Sequence, residues 1–475
     1  MTKRPYAAFA SGSGSELAEF ALASSTSTRC HVIVEITSHL NQRWARNSLT
    51  TNGSTLDITV TAIAFDERAD GIATASVSES VSDLEAVIGT VHAADAAALL
   101  ASPAEDAAPF PAPAFDEGFD DAAVTLSPST LTLPTAYLGQ LIAWARTSDI
   151  ELFGYLEREF TTTWLATSDG ARRRYCAPVN RLEITAKSHG RTRSTWHGFA
   201  AVDLDDAEWH RLRADIRQEL DWQATSIAIE PGRHTALLSP SAIGDFVIDM
   251  YWSAGARDAA EGRSAFHDEK ASSGTRIGQF VAGRGINVSS NPHDLDVPAS
   301  PFALTPASGR MASVFDNGRT LNCTDWIDAG RLEALIATGS DAERFGIGHA
   351  PVIDSVRLDV ESAVAGTATQ RDLMSGLDDG LMVTCVWYNR TVDPQTMLLT
   401  GLTRDGVYVV RGGEVIGAAS NFRFNDSPIS MLNRISRATE ARRTLPREMA
   451  DYANNVAMPA VVIDAMNFTS VSDAR

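Results

Sequence analysis

Leu237-Leu238-Ser239-Pro240-Ser241-Ala242-Ile243-Gly244-Asp245-Phe246-Val247-Ile248-Asp249-Met250-Tyr251-Trp252-Ser253-Ala254 is the stretch on which the fold turns. Ser239 is an N-cap residue, and Pro240 sits where a helix tolerates a missing N–H, at its first position. Ile243, Phe246, Val247, Met250, Tyr251 and Ala254 then fall on one stripe at helical spacing. The stretch predicts a buried helix opening the second half of the chain.

Downstream the pattern turns to strands. Leu381–Tyr388, Met397–Thr403, Val407–Arg411 and Glu414–Ala418 are rich in β-branched and apolar residues, with Gly412-Gly413 as a tight hairpin turn. Ser427-Pro428 predicts another helix, to about Ala441, and Ala460–Asp464 a closing strand. Upstream, Glu16–Ala23 reads as a helix with Ser15 as its cap. Cys30–Glu35 and Ile58–Phe65 read as strands, and Ser82-Asp83-Leu84-Glu85 has a capping-box pattern opening a helix to about Leu100. Beyond a proline-rich segment come a helix at Leu138–Arg146, strands at Ile150–Glu159, Thr161–Thr167 and Arg181–Ser188, and an amphipathic helix over Asp206–Ala224. The stretches Trp44 to Asn52-Gly53 and Trp164 to Asp169-Gly170 are alike, each ending in a good hairpin dipeptide. A duplicated unit and a chance likeness of two hairpins both account for this.

The expected fold is α+β in two domains. Residues 1–226 form an N-terminal mixed α/β domain, with the proline-rich connection 102–134 inside it. Residues 227–475 form a C-terminal β-rich, barrel-like domain with packed helices. That connection holds Pro103, Pro109, Pro111, Pro113, Pro128 and Pro134 beside an acidic run, which makes it a loop or extended segment.

Composition narrows the function. A net charge of −20 repels phosphate backbones and argues against nucleic acid as a partner. No apolar run reaches the roughly 20 residues that span a bilayer. Met1-Thr2-Lys3-Arg4-Pro5-Tyr6 is not followed by a signal-peptide core, so the chain is expected to be cytoplasmic, with no membrane partner. Cys30, Cys176, Cys323 and Cys385 are scattered, as free thiols in a reducing compartment are.

Chemical motifs are mostly missing. There is no dinucleotide or phosphate loop, and Gly262-Arg263-Ser264-Ala265-Phe266 only approaches a nucleophile elbow. None of the ten histidines forms a His-Glu-x-x-His or His-Glu-x-x-x-His pair. His31 and His39, or His189 and His197, could share a strand face, but eight strand residues separate each pair too widely for one ion. His293-Asp294-x-Asp296 reads as a solvated loop, and Asp203, Asp205 and Asp206 as helix N-terminal charges.

Four segments in order resemble the TldD/PmbA metallopeptidase family. They are Arg43-Trp44-Ala45-Arg46-Asn47-Ser48-Leu49-Thr50-Thr51-Asn52-Gly53, then Leu237 to Phe266, then Phe315-Asp316-Asn317-Gly318 with Asp328-Ala329-Gly330-Arg331-Leu332, and finally Gly380 to Val415. The resemblance implies two kinds of subunit. TldD-type chains carry His-Glu-x-x-x-His on the helix of the second domain, and a C-terminal Cys completes their zinc site. TldE/PmbA-type chains lack these ligands and pair with a TldD-type chain to degrade or trim unfolded, leader or modified peptides. Here the helix reads Ile248-Asp249-Met250-Tyr251-Trp252-Ser253-Ala254-Gly255 at the histidine positions, and no Cys follows Asn455.

The resemblance therefore implies a TldE-like subunit with no catalytic, cofactor-binding or metal residue of its own, a zinc-bearing TldD-like partner, and a peptide substrate. The alternatives are a homo-oligomeric peptide-binding module, with a free strand edge as the docking place, and a subunit of a tailoring hydrolase in natural-product biosynthesis. Trp387, Tyr388, Phe422 and Phe424 are candidate exposed aromatics for a subunit interface, with an ordinary β core as the competing reading. An autonomous enzyme would need a divergent centre at Asp249 or Cys385, and Cys385 reads more simply as a buried thiol.

Overall fold

The computed structural model describes residues 14–364, 368–453 and 455–472. The N-terminal run Met1 to Tyr6 lies outside them. The chain builds three sheets and a set of helices, the α+β architecture expected, with a barrel in its second half.

The first sheet is antiparallel throughout, in the order β3-β2-β1-β4-β5-β6. Its strands are β1 (Arg29–Ala45), β2 (Ser48–Arg68), β3 (Gly71–Ser80), β4 (Ile150–Thr167), β5 (Arg172–Ser188) and β6 (Arg193–Phe199). Helices Gly14–Ala23 and Leu84–Leu100 bracket the first three strands in sequence, and helices Thr132–Thr147 and Asp206–Trp222 bracket the second three. A helix–three strands–helix unit thus occurs twice. The copies meet where β1 pairs with β4, from His31↔Thr167 to Trp44↔Gly154. The duplication considered from the sequence exists as topology, and is larger than a strand pair.

Strand alternation divides this sheet. Val32, Val34, Ile36, Leu40 and Trp44 of β1 are buried among apolar residues of the four helices. His31, Glu35, Thr37, His39, Asn41 and Arg43 fall on the opposite face. The proline-rich segment joins the two halves of this one sheet. Ala104 N–H bonds to Ile72 O, Asp116 N–H to Arg172 O and Leu126 N–H to Ser38 Oγ.

Several boundaries differ from expectation. Ile150–Glu159 and Thr161–Thr167 are one strand, because β5 pairs along it without a break. The two stretches within β13 (Leu398–Arg411) are also one strand, carried through a register shift opposite Val383 and Cys385 of β12. Ser15 lies inside its helix rather than capping it. Asp83, not Ser82, caps the Leu84 helix, its carboxylate accepting Ala86 N–H at 2.9 Å. Asn52-Gly53 is not a turn. The β1–β2 reversal falls at Arg46 and Asn47, with φ of 50° and 62°, and Gly53 pairs with Asn41 inside the ladder. Asn47 is held there by its side chain, which donates to Ile150 O at 2.7 Å and accepts Leu152 N–H at 2.8 Å. His189 sits in the β5–β6 turn, so it shares no strand with His197.

In the second half, β7 (Gly232–Leu238), β12 (Asp379–Asp393), β13, β15 (Asn421–Asp426) and β19 (Val461–Ser472) close on themselves. The order β12-β7-β19-β15-β13 returns to β12, giving a five-stranded barrel with β14 (Glu414–Ala418) added on β13. Closure removes the edges that an open sheet leaves unpaired. Gly412 and Gly413, both at positive φ, make the expected β13–β14 turn. Phe422 and Phe424 are fully buried with Phe468, so they belong to the core; of the four aromatics only Tyr388, at 53% exposure, is openly exposed. The Ser427-Pro428 helix stops at Leu432, and the chain turns back as β16 (Ile435–Ala438) to pair with β19. A third sheet, β10-β9-β8-β11-β18-β17, uses Arg331–Leu332, Thr324–Asp328, Ile286–Ser290, Val356–Val360, Val456–Met458 and Arg442–Thr444. The Pro240–Trp252 helix packs against β12 of the barrel and against β17 and β18 of this sheet.

Candidate functional site

The Pro240–Trp252 helix starts as its sequence demands. Ser239 Oγ accepts Ala242 N–H at 3.1 Å, and Pro240 occupies the first turn. Ile243, Phe246, Val247, Met250 and Tyr251 are buried. Two carboxylates interrupt this apolar helix one turn apart, Asp245 and Asp249, which places them on one face.

Asp245 is fully buried. Its Oδ1 accepts the backbone N–H groups of Glu448 and Met449, each at 3.0 Å, while Oδ2 has no hydrogen-bond partner among the described residues. Burial drives its pKa well above the usual carboxylate range, against those two hydrogen bonds. Asp249 is also pushed up, to about 6, chiefly by burial. Asn389 Nδ2 donates to Asp249 Oδ2 at 3.4 Å. Glu448 completes the group: Oε2 accepts Tyr388 N–H at 2.8 Å, and Oε1 accepts from Arg390 at 3.2 Å. Tyr388 stands at φ 58° where the β12–β13 pairing slips, which turns its ring outward.

Beside it lies a buried ionic cluster. Arg447 pairs with Asp405 and donates to Cys385 Sγ at 2.8 Å, and its guanidinium lies over the rings of Trp196 and Trp387. Ser194 Oγ donates to Asp405 Oδ1. Burial raises the Cys385 thiol to about 11 in spite of Arg447, so it is protonated at neutral pH. A protonated, buried thiol is a poor nucleophile, and Cys385 fills the buried role expected of it.

These donors do not suit a catalytic zinc, which takes about three His, Cys or carboxylate ligands and keeps one position open. The helix presents two carboxylates and no imidazole. Asp245 is tied to the backbone, and Cys385 is committed to Arg447. The other residues weighed from the sequence are scattered. Asp294 and Asp296 flank Arg357, Asp205 caps the Asp206–Trp222 helix in a capping box with Glu208, and His197 pairs with Glu219 at 3.2 Å. Sequence reasoning singled out Asp249 but passed over Asp245, Asn389, Glu448 and Arg447. The available signal was two aspartates four apart on an otherwise apolar helix.

Residues 231–470 match the model of the PmbA/TldA metallopeptidase C-terminal domain. That match spans half of the chain, and the chain belongs to the PmbA/TldD metallopeptidase family. Among solved structures, TldE from Thermococcus kodakarensis superposes with a TM-score of 0.74 at 13% identity, covering 96% of this chain and 99% of that one. A candidate modulator of a DNA gyrase from Thermotoga maritima gives 0.70 at 12% identity, with 92% and 95% covered. One from Bacteroides thetaiotaomicron gives 0.69 at 11% identity, with 96% and 98% covered. At these identities the likeness is one of fold. No curated protein matches the sequence.

Among the described residues, no helix is long and apolar enough to cross a membrane.

Proposed function

We propose that this chain is a TldE-like subunit that does not cut peptides alone. It pairs with a zinc-bearing TldD-like chain, and the pair acts on unfolded, leader or modified peptides. The observation that carries this reading is the Pro240–Trp252 helix. Where the resemblance places the family's histidines it carries Asp249, with the buried Asp245, whose pKa burial raises, one turn before. Neither group, nor the protonated Cys385, can activate water for peptide hydrolysis by the zinc route. The fold likeness to a TldE over nearly the whole of both chains supports the same reading.

The test is peptidase activity on an unfolded protein substrate. The chain is purified alone, with and without added Zn2+, and then coexpressed with a TldD-type partner carrying His-Glu-x-x-x-His. Activity only in the copurified pair, abolished by replacing the partner's motif histidines, is the expected result. Turnover by the isolated chain, or failure of the two chains to copurify, would overturn the reading.

A further inference from the structure

On the face of the first sheet turned away from its helices, β1 and β4 bring three donors together. His39 stands opposite Glu159 in the register, and Glu157 follows on the same face opposite Asn41. One donor atom from each of the three lies within 4.8 Å of the others. His39 Nε2 is 2.9 Å from Glu157 Oε1. Yet Nε2 makes no directed hydrogen bond among the described residues, although it is shielded from water.

Outer contacts orient the carboxylates. The Tyr155 hydroxyl donates to Glu157 Oε1 at 3.0 Å, and the Thr161 hydroxyl donates to Glu159 Oε1 at 3.3 Å. Such second-layer hydrogen bonds fix ligands around metal ions. No arginine or lysine pairs with either glutamate among the described residues, unlike the neighbouring Glu183, which pairs with Arg181. Two adjacent carboxylates thus face one imidazole, a set of donors that one cation can bridge. The His39 and Glu157 side chains each keep 17% exposure, so the cluster lies near the surface although Nε2 itself is covered.

We infer that His39, Glu157 and Glu159 form a binding site for a divalent first-row transition ion. One imidazole nitrogen with two carboxylates suits Zn2+ or Mn2+, and the nitrogen disfavours Mg2+ and Ca2+, which take oxygen ligands. The donors come from two paired strands, and a shared ion would hold them at the usual ~2.0–2.2 Å. The site is on a different sheet from the Asp245–Asp249 helix and does not depend on the role proposed for this subunit.

The test is isothermal titration of the full chain, stripped of metal, with Zn2+, Mn2+ and Mg2+. Parent protein is compared with His39→Ala, Glu157→Gln and Glu159→Gln, and with His92→Ala as a control on an exposed histidine of the Leu84–Leu100 helix. The inference expects one saturable Zn2+ or Mn2+ site, weak Mg2+ binding, a loss of at least about tenfold in each of the three variants, and none in the control. Bound Co2+ should give a visible absorption band that His39→Ala removes. If His39→Ala does not fold, the near-isosteric glutamine variants carry the comparison. Absence of saturable binding, or equal affinity in the site variants and the parent, would overturn the inference.

Discussion

Replacing Asp245 separates two roles that the structure gives one side chain. Its Oδ1 holds the Glu448 and Met449 amides, and its Oδ2 meets no partner among the described residues. Asp245→Ala strands two backbone donors, each costing about 1–3 kcal/mol when left unsatisfied, so a loss of roughly 2–6 kcal/mol follows at the acid end of the range, where the parent still holds the whole of its Asp245 contribution. Asp245→Asn keeps an acceptor oxygen and carries no charge, as a protonated aspartate does. Because burial raises the folded-state pKa, the native chain holds a proton there that the unfolded chain releases above its ordinary pKa of ~3.9. Asp245 therefore contributes stability fully below that pH, and the contribution is lost as pH rises toward the folded pKa. The asparagine variant escapes this loss. Its stability relative to the parent should improve with pH from about 4 upward, by at most about 1.4 kcal/mol per pH unit. Thermal melts of parent and both variants between pH 4 and 8 measure it. A pH-independent difference between Asp245→Asn and the parent would show that Asp245 is ionised in the folded chain and refute the reasoning.

Two further outcomes follow from the same physics. In the native protein at neutral pH, iodoacetamide should label the exposed Cys323 and leave Cys385 unmodified, as read by peptide mass spectrometry, because Cys385 is fully buried with its thiol raised to about 11. Burial would lower the pKa of His197, but the charge and hydrogen bond of Glu219 outweigh it and raise it. Burial would raise that of Glu219, yet His197 and Thr195 hold it down. The pair's stabilisation is thus lost as pH rises through the raised histidine pKa, and again as pH falls through the depressed glutamate pKa. Glu219→Gln should drop the His197 titration below its ordinary value in an NMR pH series; an unchanged titration would contradict the pairing.

What the sequence made legible was local. The Pro240–Trp252 helix was readable because its cap, its proline and its apolar stripe agree, and Gly412-Gly413 because the turn needs positive φ there. Asn52-Gly53 misled, because its local turn preference was overridden by a ladder of 17- and 21-residue strands whose reversal is fixed by Asn47 reaching across to β4. The Ser427-Pro428 start was real, but pairing with β19 stopped the helix after one turn. Phe422 and Phe424 looked exposed only until barrel closure put them inside. The cluster at His39 was invisible for a plainer reason. Its partners stand on a strand more than a hundred residues away, so no spacing along the chain announces it, only the β1–β4 register.

That register also bears on how the chain assembles. Each three-stranded meander, with its two helices, closes through short turns. The seam between β1 and β4 instead joins residues 110 to 136 positions apart, counting from Trp44↔Gly154 (154 − 44) to His31↔Thr167 (167 − 31). Loop-closure entropy falls on those long-range pairings and hardly at all on the local ones. The two meanders are therefore expected to acquire hydrogen-exchange protection first and the seam after them. On the ribosome, the first meander can fold while the strand that will cover its β1 edge has not yet been made.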